Sequence, residues 1–136
     1  MQTINIRFSW QHRDNGCEPV CKSDLRNLDG VSLLDCVLMD DGGLSNSETI
    51  PWLNEGIQRI EAVATGRMDS YDWDRETWGV EFRDKAAKIY SLRDEGYFQI
   101  LSLSAFLKVL RAWAGFLQAH PNDGDAGALI NLSIER

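Results

Sequence analysis

Residues 78–101 read WGVEFRDKAAKIYSLRDEGYFQIL, and this stretch decides the fold. Apolar Trp78, Val80 and Phe82 alternate there with Gly79 and Glu81. A repeat of two residues is the side-chain period of a strand. Turn residues follow at 84–85 and at 94–96, and further strand-like segments follow at 88–92 and 98–101. Because short turns join antiparallel neighbours, the stretch predicts a three-stranded meander.

Two amphipathic helices flank this meander. Upstream, apolar residues recur at helical spacing from 50 to 64, and Pro51 places the start of the regular helix near Thr49. Gly66 is a suitable C-terminal stop for that helix. Downstream, residues 103–117 carry a wide apolar stripe, with Ser102 or Ser104 as the N-cap.

The remaining segments complete the predicted architecture. Residues 2–10 alternate as a first strand, and 31–39 form an almost continuous apolar run that predicts a second strand, although a short helix fits the same pattern. Residues 11–30 are polar and predict a flexible loop, an edge element or a partner-contacting loop. Residues 122–136 predict a connector followed by a last strand or a loose tail. We therefore expect one α+β domain over 1–136, with an antiparallel sheet of about five strands and two main helices packed against it.

The length and composition suit a single globular domain. The chain has 136 residues, of which 43% are hydrophobic and 26% are charged. It contains no apolar run of about 18 residues, so no membrane-spanning helix is expected. The first ten residues lack the apolar core of a signal peptide, so we expect a cytoplasmic protein.

The negative charge is concentrated in the middle of the chain. The net charge is −7, and residues 35–81 hold eleven acidic and three basic residues. That window therefore carries −8, and the rest of the chain carries +1. Such a field repels nucleic acid and attracts cationic proteins, so we expect no direct binding of nucleic acid.

The cysteines and histidines do not predict a metal or catalytic centre. Cys17 and Cys21 have a CxxxC spacing and His12 lies nearby, but no fourth metal ligand is evident, and two loop thiols are the simpler interpretation. Three cysteines, with Cys36 the third, do not suggest a disulfide framework. His12 and His120 have no neighbouring nucleophile in a known arrangement. No dinucleotide, phosphate-loop or zinc-protease motif is present. We expect neither catalysis nor a cofactor, although a Cys–His pair or a carboxylate pair would be the route to a small enzyme.

One segment combines acids and aromatics. Residues 69–76 read DSYDWDRE and lie just ahead of the strand that begins the meander. A solvated loop is one interpretation, and burial of Trp73 in the core is equally open. The other interpretation is a binding surface in which aromatic anchors supply desolvated contact and carboxylates supply steering. On that hypothesis the partner contacts are Asp69, Tyr71, Asp72, Trp73, Asp74 and Glu76, with Asp40 and Asp41 as possible neighbours.

The second half of the chain resembles a known family. DWDRETWGVEFRDKAAKIYSL followed by FQILSLSAFLKVLRAWAGFL looks like the closing part of small bacterial immunity proteins. These accompany contact-dependent growth inhibition toxins and related polymorphic toxins. The shared features are an acidic approach, a Trp-containing strand, a hairpin, and an amphipathic helix that ends in W-x-x-F-L, here Trp113, Phe116 and Leu117. The first half of the chain shows no such resemblance.

The resemblance implies a non-catalytic inhibitor that binds a cognate toxin domain. Many toxins of these systems are nucleases, including some that cut tRNA, so the expected partner is a basic nuclease domain. Contact residues vary between immunity proteins, so the site rests on the acidic and aromatic segment and not on the family. The alternative hypothesis is a small cytosolic adaptor or regulatory module that binds a host protein without any toxin.

Overall fold

The computed structural model describes residues 3–13, 16–40, 46–119 and 129–136. Its fold is α+β, as the sequence predicts, with two long helices and one short one. The elements in chain order are β1 (Thr3–Arg13), β2 (Gly16–Ser23), α1 (Leu33–Leu38), α2 (Asn46–Ala64), β3 (Ser70–Asp74), β4 (Trp78–Arg83), β5 (Ala86–Ser91), β6 (Asp94–Ser102), α3 (Leu103–Ala119) and β7 (Leu129–Glu135). No helix in the described ranges is long and apolar enough to cross a membrane.

The strands form two antiparallel sheets instead of one sheet of about five. The first has the order β2-β1-β7, and the second is the meander β3-β4-β5-β6. The predicted meander is confirmed in β4, β5 and β6, and β3 adds an edge strand where we expected a loop. The C-terminal strand β7 pairs with β1, which places Ile134 opposite Ile4 in the core. Of the two predictions for residues 129–135, the strand is therefore the one observed.

Of the predictions for residues 11–30, the edge element is the one observed, and the flexible loop is largely wrong. The middle of this range is β2, which pairs with β1 so that Cys21 lies opposite Phe8 and Pro19 opposite Trp10. Proline weakens strand prediction because it cannot donate to a ladder. Here β2 is an edge strand, so a residue without an N–H is tolerated.

Of the two predictions for residues 31–39, the short helix is the one observed, as α1, and the strand is wrong. Ser32 is its N-cap, and the Ser32 Oγ accepts a hydrogen bond from the Asp35 N–H at 3.2 Å. An uninterrupted apolar run buries equally well as a strand or as a helix, so the pattern could not distinguish them. Four apolar side chains of α1 are buried, namely Leu33, Leu34, Val37 and Leu38.

The two long helices are confirmed, with one changed boundary. Helix α2 begins at Asn46, one turn before the predicted start, and it holds Pro51 inside its second turn. Gly66 has φ +81°, which is the left-handed conformation expected of a helix stop. Helix α3 begins at Leu103, and the Ser102 Oγ accepts from the Ala105 N–H at 3.1 Å.

Helix α3 connects the cores of the two sheets. On one side, its Trp113 ring packs edge-on against Phe8 of β1, with 5.0 Å between centroids. On the other side, its Phe106 ring lies 5.9 Å from Phe82 of β4. The inner faces of both sheets therefore share one hydrophobic cluster, which leaves their outer faces for contact with solvent or a partner.

Candidate functional site

Strand β3 separates its aromatic residues from its acidic ones. Successive side chains of a strand point to opposite faces, so Tyr71 and Trp73 point inward while Asp72 and Asp74 point outward. This alternation explains why residues 69–76 contain both residue types. The aromatics belong to the core side of the sheet, and the carboxylates belong to its outer face.

The structure places Trp73 in the core and not on a binding surface. Its side chain is 1% exposed, and its ring stacks on Trp52 with 4.0 Å between centroids. The Trp73 Nε1–H donates to the Trp52 carbonyl at 3.0 Å, so the polar atom of the indole is also satisfied. The prediction that Trp73 contacts a partner is therefore wrong.

The other predicted contacts lie in different environments. Asp69, Asp72, Asp74 and Glu76 are exposed, and Asp72 and Asp74 share the outer face of the sheet. Tyr71 is half-buried beneath the Arg59 guanidinium, which lies 4.7 Å from its ring centroid. Asp41 lies outside the described residues.

The Asp40 carboxylate forms hydrogen bonds within the fold and does not point toward a partner. Its Oδ2 accepts hydrogen bonds from the backbone N–H groups of Thr77 at 2.9 Å and Trp78 at 3.1 Å. These two residues lie where the chain enters β4. Asp40 thus ties the end of α1 to the β3–β4 connection, and its carboxylate is already engaged.

The strand register builds a mixed acidic and apolar outer face. One row across the sheet runs Asp72–Glu81–Lys88–Ile100, because each residue is the register partner of the next. The neighbouring row runs Asp74–Gly79–Tyr90–Phe98. Phe98 is 47% exposed and Ile100 is 42% exposed, so the described part of the chain leaves this face open. We call these two rows, together with Leu92 and Glu95, the outer face.

Gly79 lets two side chains lie across the middle of the outer face. A Cβ built on Gly79 would lie 2.9 Å from Leu92 Cδ2 and 2.9 Å from Tyr90 Cζ. Real Cβ atoms do not approach so closely, so any larger residue would displace Tyr90 or Leu92. Tyr90 and Leu92 therefore pack directly on the backbone of β4 and join Phe98 in an apolar centre.

Carboxylates surround this apolar centre. A recess of about 130 Å³ is lined by Asp72, Glu81, Lys88, Tyr90 and Glu95. Partial burial raises the pKa of the Tyr90 hydroxyl, and the nearby carboxylates raise it further. Two cations share the region, but each has a contact there: Lys88 Nζ lies 4.8 Å from the Phe98 ring centroid, and Arg83 lies 3.6 Å from Glu81. The field over the outer face remains negative.

Most of the outer face was missed from the sequence. Glu81, Tyr90, Phe98 and Ile100 lie on the strands that were correctly predicted, but we did not assign them to the site. Leu92 lies in the turn after β5, and Glu95 lies in β6 where a turn was predicted; these two were not assigned to the site either. The signal was available in part, since the residues between the buried positions of β4, β5 and β6 must face the other way. Which of them are neighbours depends on the register, which the sequence does not specify.

The structure identifies no metal centre in its described part. No three His, Cys, Asp or Glu residues there are grouped as ligands. Cys21 is buried, and its Sγ–H donates to Asp35 Oδ1 at 3.4 Å. Burial raises the pKa of the Cys21 thiol and the Asp35 carboxylate raises it further, so the ligating thiolate form is disfavoured. The side chains of His12 and Cys17, and all of His120, lie outside the described parts.

No protein-family model, curated protein or solved structure matches this chain.

Proposed function

We propose that this chain is an immunity protein that binds and neutralises a cognate toxin domain through the outer face of its four-stranded sheet. The observation that carries the proposal is the composition of that face. Tyr90, Leu92, Phe98 and Ile100 form an open apolar centre, and the carboxylates of Asp72, Asp74, Glu81 and Glu95 lie around it. An apolar centre inside a charged rim is the usual composition of a protein-binding surface.

The face of the sheet is a better binding surface than its β3 edge. The Asp74 carbonyl accepts a hydrogen bond from Trp52 Nε1–H at 2.7 Å, and the Asp72 carbonyl accepts one from Arg59 Nη1. Both donors come from α2. A partner strand that added to this edge would have to displace them. These contacts favour binding across the side chains of the outer face instead.

The charge of the outer face favours a basic partner. Four carboxylates attract and orient a cationic surface during the encounter, and they form charge pairs at the rim after docking. A domain that cuts nucleic acid needs a basic surface to hold phosphates. A nuclease toxin therefore fits this face. The sequence resemblance of residues 72–117 to immunity proteins supports the same class of partner.

On this proposal the protein acts by occupying the toxin and performs no chemistry of its own. It works in the cytoplasm of the bacterium that makes the toxin. The apolar centre would contribute most of the lifetime of the complex, and the carboxylates would contribute most of its rate of formation. Occlusion of a phosphate-binding surface would be sufficient to inhibit a nuclease.

Co-expression tests the proposal directly. The chain is expressed together with the toxin domain encoded immediately upstream of its gene, and survival and co-purification are measured. We expect rescue of the cells and a complex that weakens with increasing salt. Absence of an upstream toxin, or failure to rescue, would contradict the proposal and favour an adaptor that binds a host protein.

A second experiment tests whether the outer face is the surface that binds the toxin. The variant Asp72→Asn/Glu81→Gln/Glu95→Gln removes three charges from the outer face. The control Asp29→Asn/Asp84→Asn/Glu135→Gln removes three charges from exposed positions elsewhere. Only the first set should weaken rescue. If wild type rescues and both sets rescue equally, the toxin is bound by another surface.

A further inference from the structure

The outer face of the three-stranded sheet places two cationic side chains, Arg7 and Lys22, side by side. Strands β1, β2 and β7 form an open concavity there of about 610 Å³. It is lined by Asn5, Ile6, Arg7, Lys22, Ser23, Asp24, Arg26, Asn131, Leu132 and Ser133. We propose that this concavity binds a compact anion that carries more than one phosphate group. The inference is independent of the toxin proposal, because it concerns a different sheet.

Two like charges lie side by side in the lining of the concavity. Arg7 of β1 lies directly opposite Lys22 of β2, and both side chains are exposed. Like charges at directly opposed positions destabilise a strand pair. Neither side chain forms an ion pair with any described residue. A bound anion would remove this repulsion.

The opposed pair belongs to a row of donors that crosses all three strands. Asn131 of β7 lies opposite Arg7 on its other side, so the row runs Lys22–Arg7–Asn131. A guanidinium donates a fork of N–H groups that matches the oxygens of a phosphate, and an ammonium and an amide add further donors. The volume of the concavity is several times that of one phosphate group, which favours a ligand with two or more phosphate groups.

The acidic residue in the concavity does not neutralise the row. Asp24 Oδ1 accepts from the Asn5 backbone N–H at 2.9 Å, and Asp24 Oδ2 accepts from Asn5 Nδ2 at 3.1 Å. Arg26 is engaged outside the row, because its Nη1 donates to the Gly30 carbonyl at 3.0 Å and its Nη2 lies 3.9 Å from Asp35 Oδ2. Arg7 and Lys22 therefore share the described lining with one engaged carboxylate, in a chain whose net charge is −7. The positive potential is local to this concavity.

The lining also limits the class of ligand. Among the described residues, it contains no aromatic side chain on which a base could stack, and stacking is the usual means of holding unpaired bases. A long nucleic acid would in addition meet the acidic remainder of the chain. A compact oligophosphate avoids both problems. The rival occupant is an acidic surface of a second copy of this chain, and the experiment below distinguishes the two.

Calorimetric titration with inorganic pyrophosphate tests the proposal. The full chain is titrated in potassium chloride at constant ionic strength, so that general screening is equal throughout. We expect saturable binding of one pyrophosphate per chain. The variant Arg7→Gln/Lys22→Gln should weaken binding at least about tenfold, because it removes two charge-assisted contacts. The control Arg93→Gln/Lys108→Gln removes two exposed cations from elsewhere and should bind like wild type.

A second variant separates lost binding from lost folding. Lys22→Glu places opposite charges in register with Arg7, so it should keep or raise the thermal midpoint while it abolishes binding. The proposal is overturned if pyrophosphate gives no saturable heat, or if the control loses as much affinity as the double variant. It is also overturned if the protein instead self-associates in sedimentation through Arg7 and Lys22, since the occupant would then be a second copy.

Discussion

Gly56 of α2 lies against the indole ring of Trp73, with no room for a side chain between them. A Cβ built on Gly56 would be 2.6 Å from Trp73 Cε2 and 2.7 Å from Cζ2. Trp73 cannot easily retreat, because it stacks on Trp52 and its Nε1–H is bonded to the Trp52 carbonyl. A glycine inside a helix costs about 1 kcal/mol relative to alanine, and here it permits α2 to approach the inner face of β3.

The first prediction follows from this contact. Gly56→Ala should lower the free energy of unfolding by about 1–3 kcal/mol, although alanine favours the helix, because the added methyl group overpacks the indole. The matched control is Gly115→Ala in α3, where an added Cβ has no neighbour within 4 Å. That control should raise stability by up to about 1 kcal/mol. Urea unfolding measures both, and equal stabilisation by the two substitutions would contradict the close packing.

If the protein acts as proposed, the acidic rim should control the rate of association with the toxin. Replacing Asp72, Glu81 and Glu95 by their amides should slow association about tenfold at low salt, and the difference should shrink as salt screens the charges. Dissociation should change less. Stopped-flow mixing at several salt concentrations gives both rates. The control set at Asp29, Asp84 and Glu135 has the same net charge, so an equal effect of that set would show that only total charge matters.

The apolar centre should control the lifetime of the complex. Phe98 and Ile100 are 47% and 42% exposed, so their replacement by alanine should change the free energy of unfolding by less than about 1 kcal/mol. If they anchor the partner, Phe98→Ala should cost about 2 kcal/mol of binding, which is about a thirtyfold weaker complex. Surface-captured toxin reports this as faster dissociation. Unchanged dissociation with Phe98→Ala would remove the centre of the outer face from the interface.

Asp40 is expected to affect stability and not recognition. Asp40→Ala leaves the N–H groups of Thr77 and Trp78 without their acceptor, and it should lower the free energy of unfolding by about 1–3 kcal/mol. Asp40→Asn keeps one side-chain oxygen as an acceptor and should cost less. Affinity for the toxin, measured at a temperature where each variant is fully folded, should not change. A loss of affinity in Asp40→Asn without a loss of stability would return Asp40 to the binding site.

Asp35 should make stability depend on pH in a defined direction. Burial raises its pKa above the ordinary value of 3.8, and this outweighs the hydrogen bonds from Ser23 and Cys21 that lower it. Between 3.8 and the raised pKa, the folded state binds more protons than the unfolded state. The contribution of Asp35 to the free energy of unfolding therefore falls as pH rises through that window.

The variant Asp35→Asn cannot titrate at this position, so it isolates the effect. The free energy of unfolding of wild type minus that of Asp35→Asn should decrease as pH rises from about 4 toward 7. Urea unfolding at several pH values measures it, and the carboxylates common to both proteins cancel. A difference that grows with pH would mean that the folded protein stabilises the Asp35 carboxylate instead.

Much of the architecture could be predicted because it depends on local patterns. The alternation in β1 and β4, the helical stripes of α2 and α3, and the stop at Gly66 each reflect a backbone period or a backbone conformation. The α+β class with antiparallel strands followed from these. The missed elements are those whose local signal is ambiguous. Strand β2 holds a proline, and α1 is apolar throughout, so only their surroundings select their conformation.

The sequence by itself determined that aromatics and acids alternate along 71–74, and alternation on a strand separates them onto two faces. Only the tertiary structure decided which face is buried, because that depends on α2 packing against Trp73. It also decided that Asp40 is engaged by a distant turn, and that Tyr90 and Phe98 lie beside the acids of β3 and β4. These are contacts between residues far apart in the chain. They depend on strand register and on packing between elements, which no local pattern encodes.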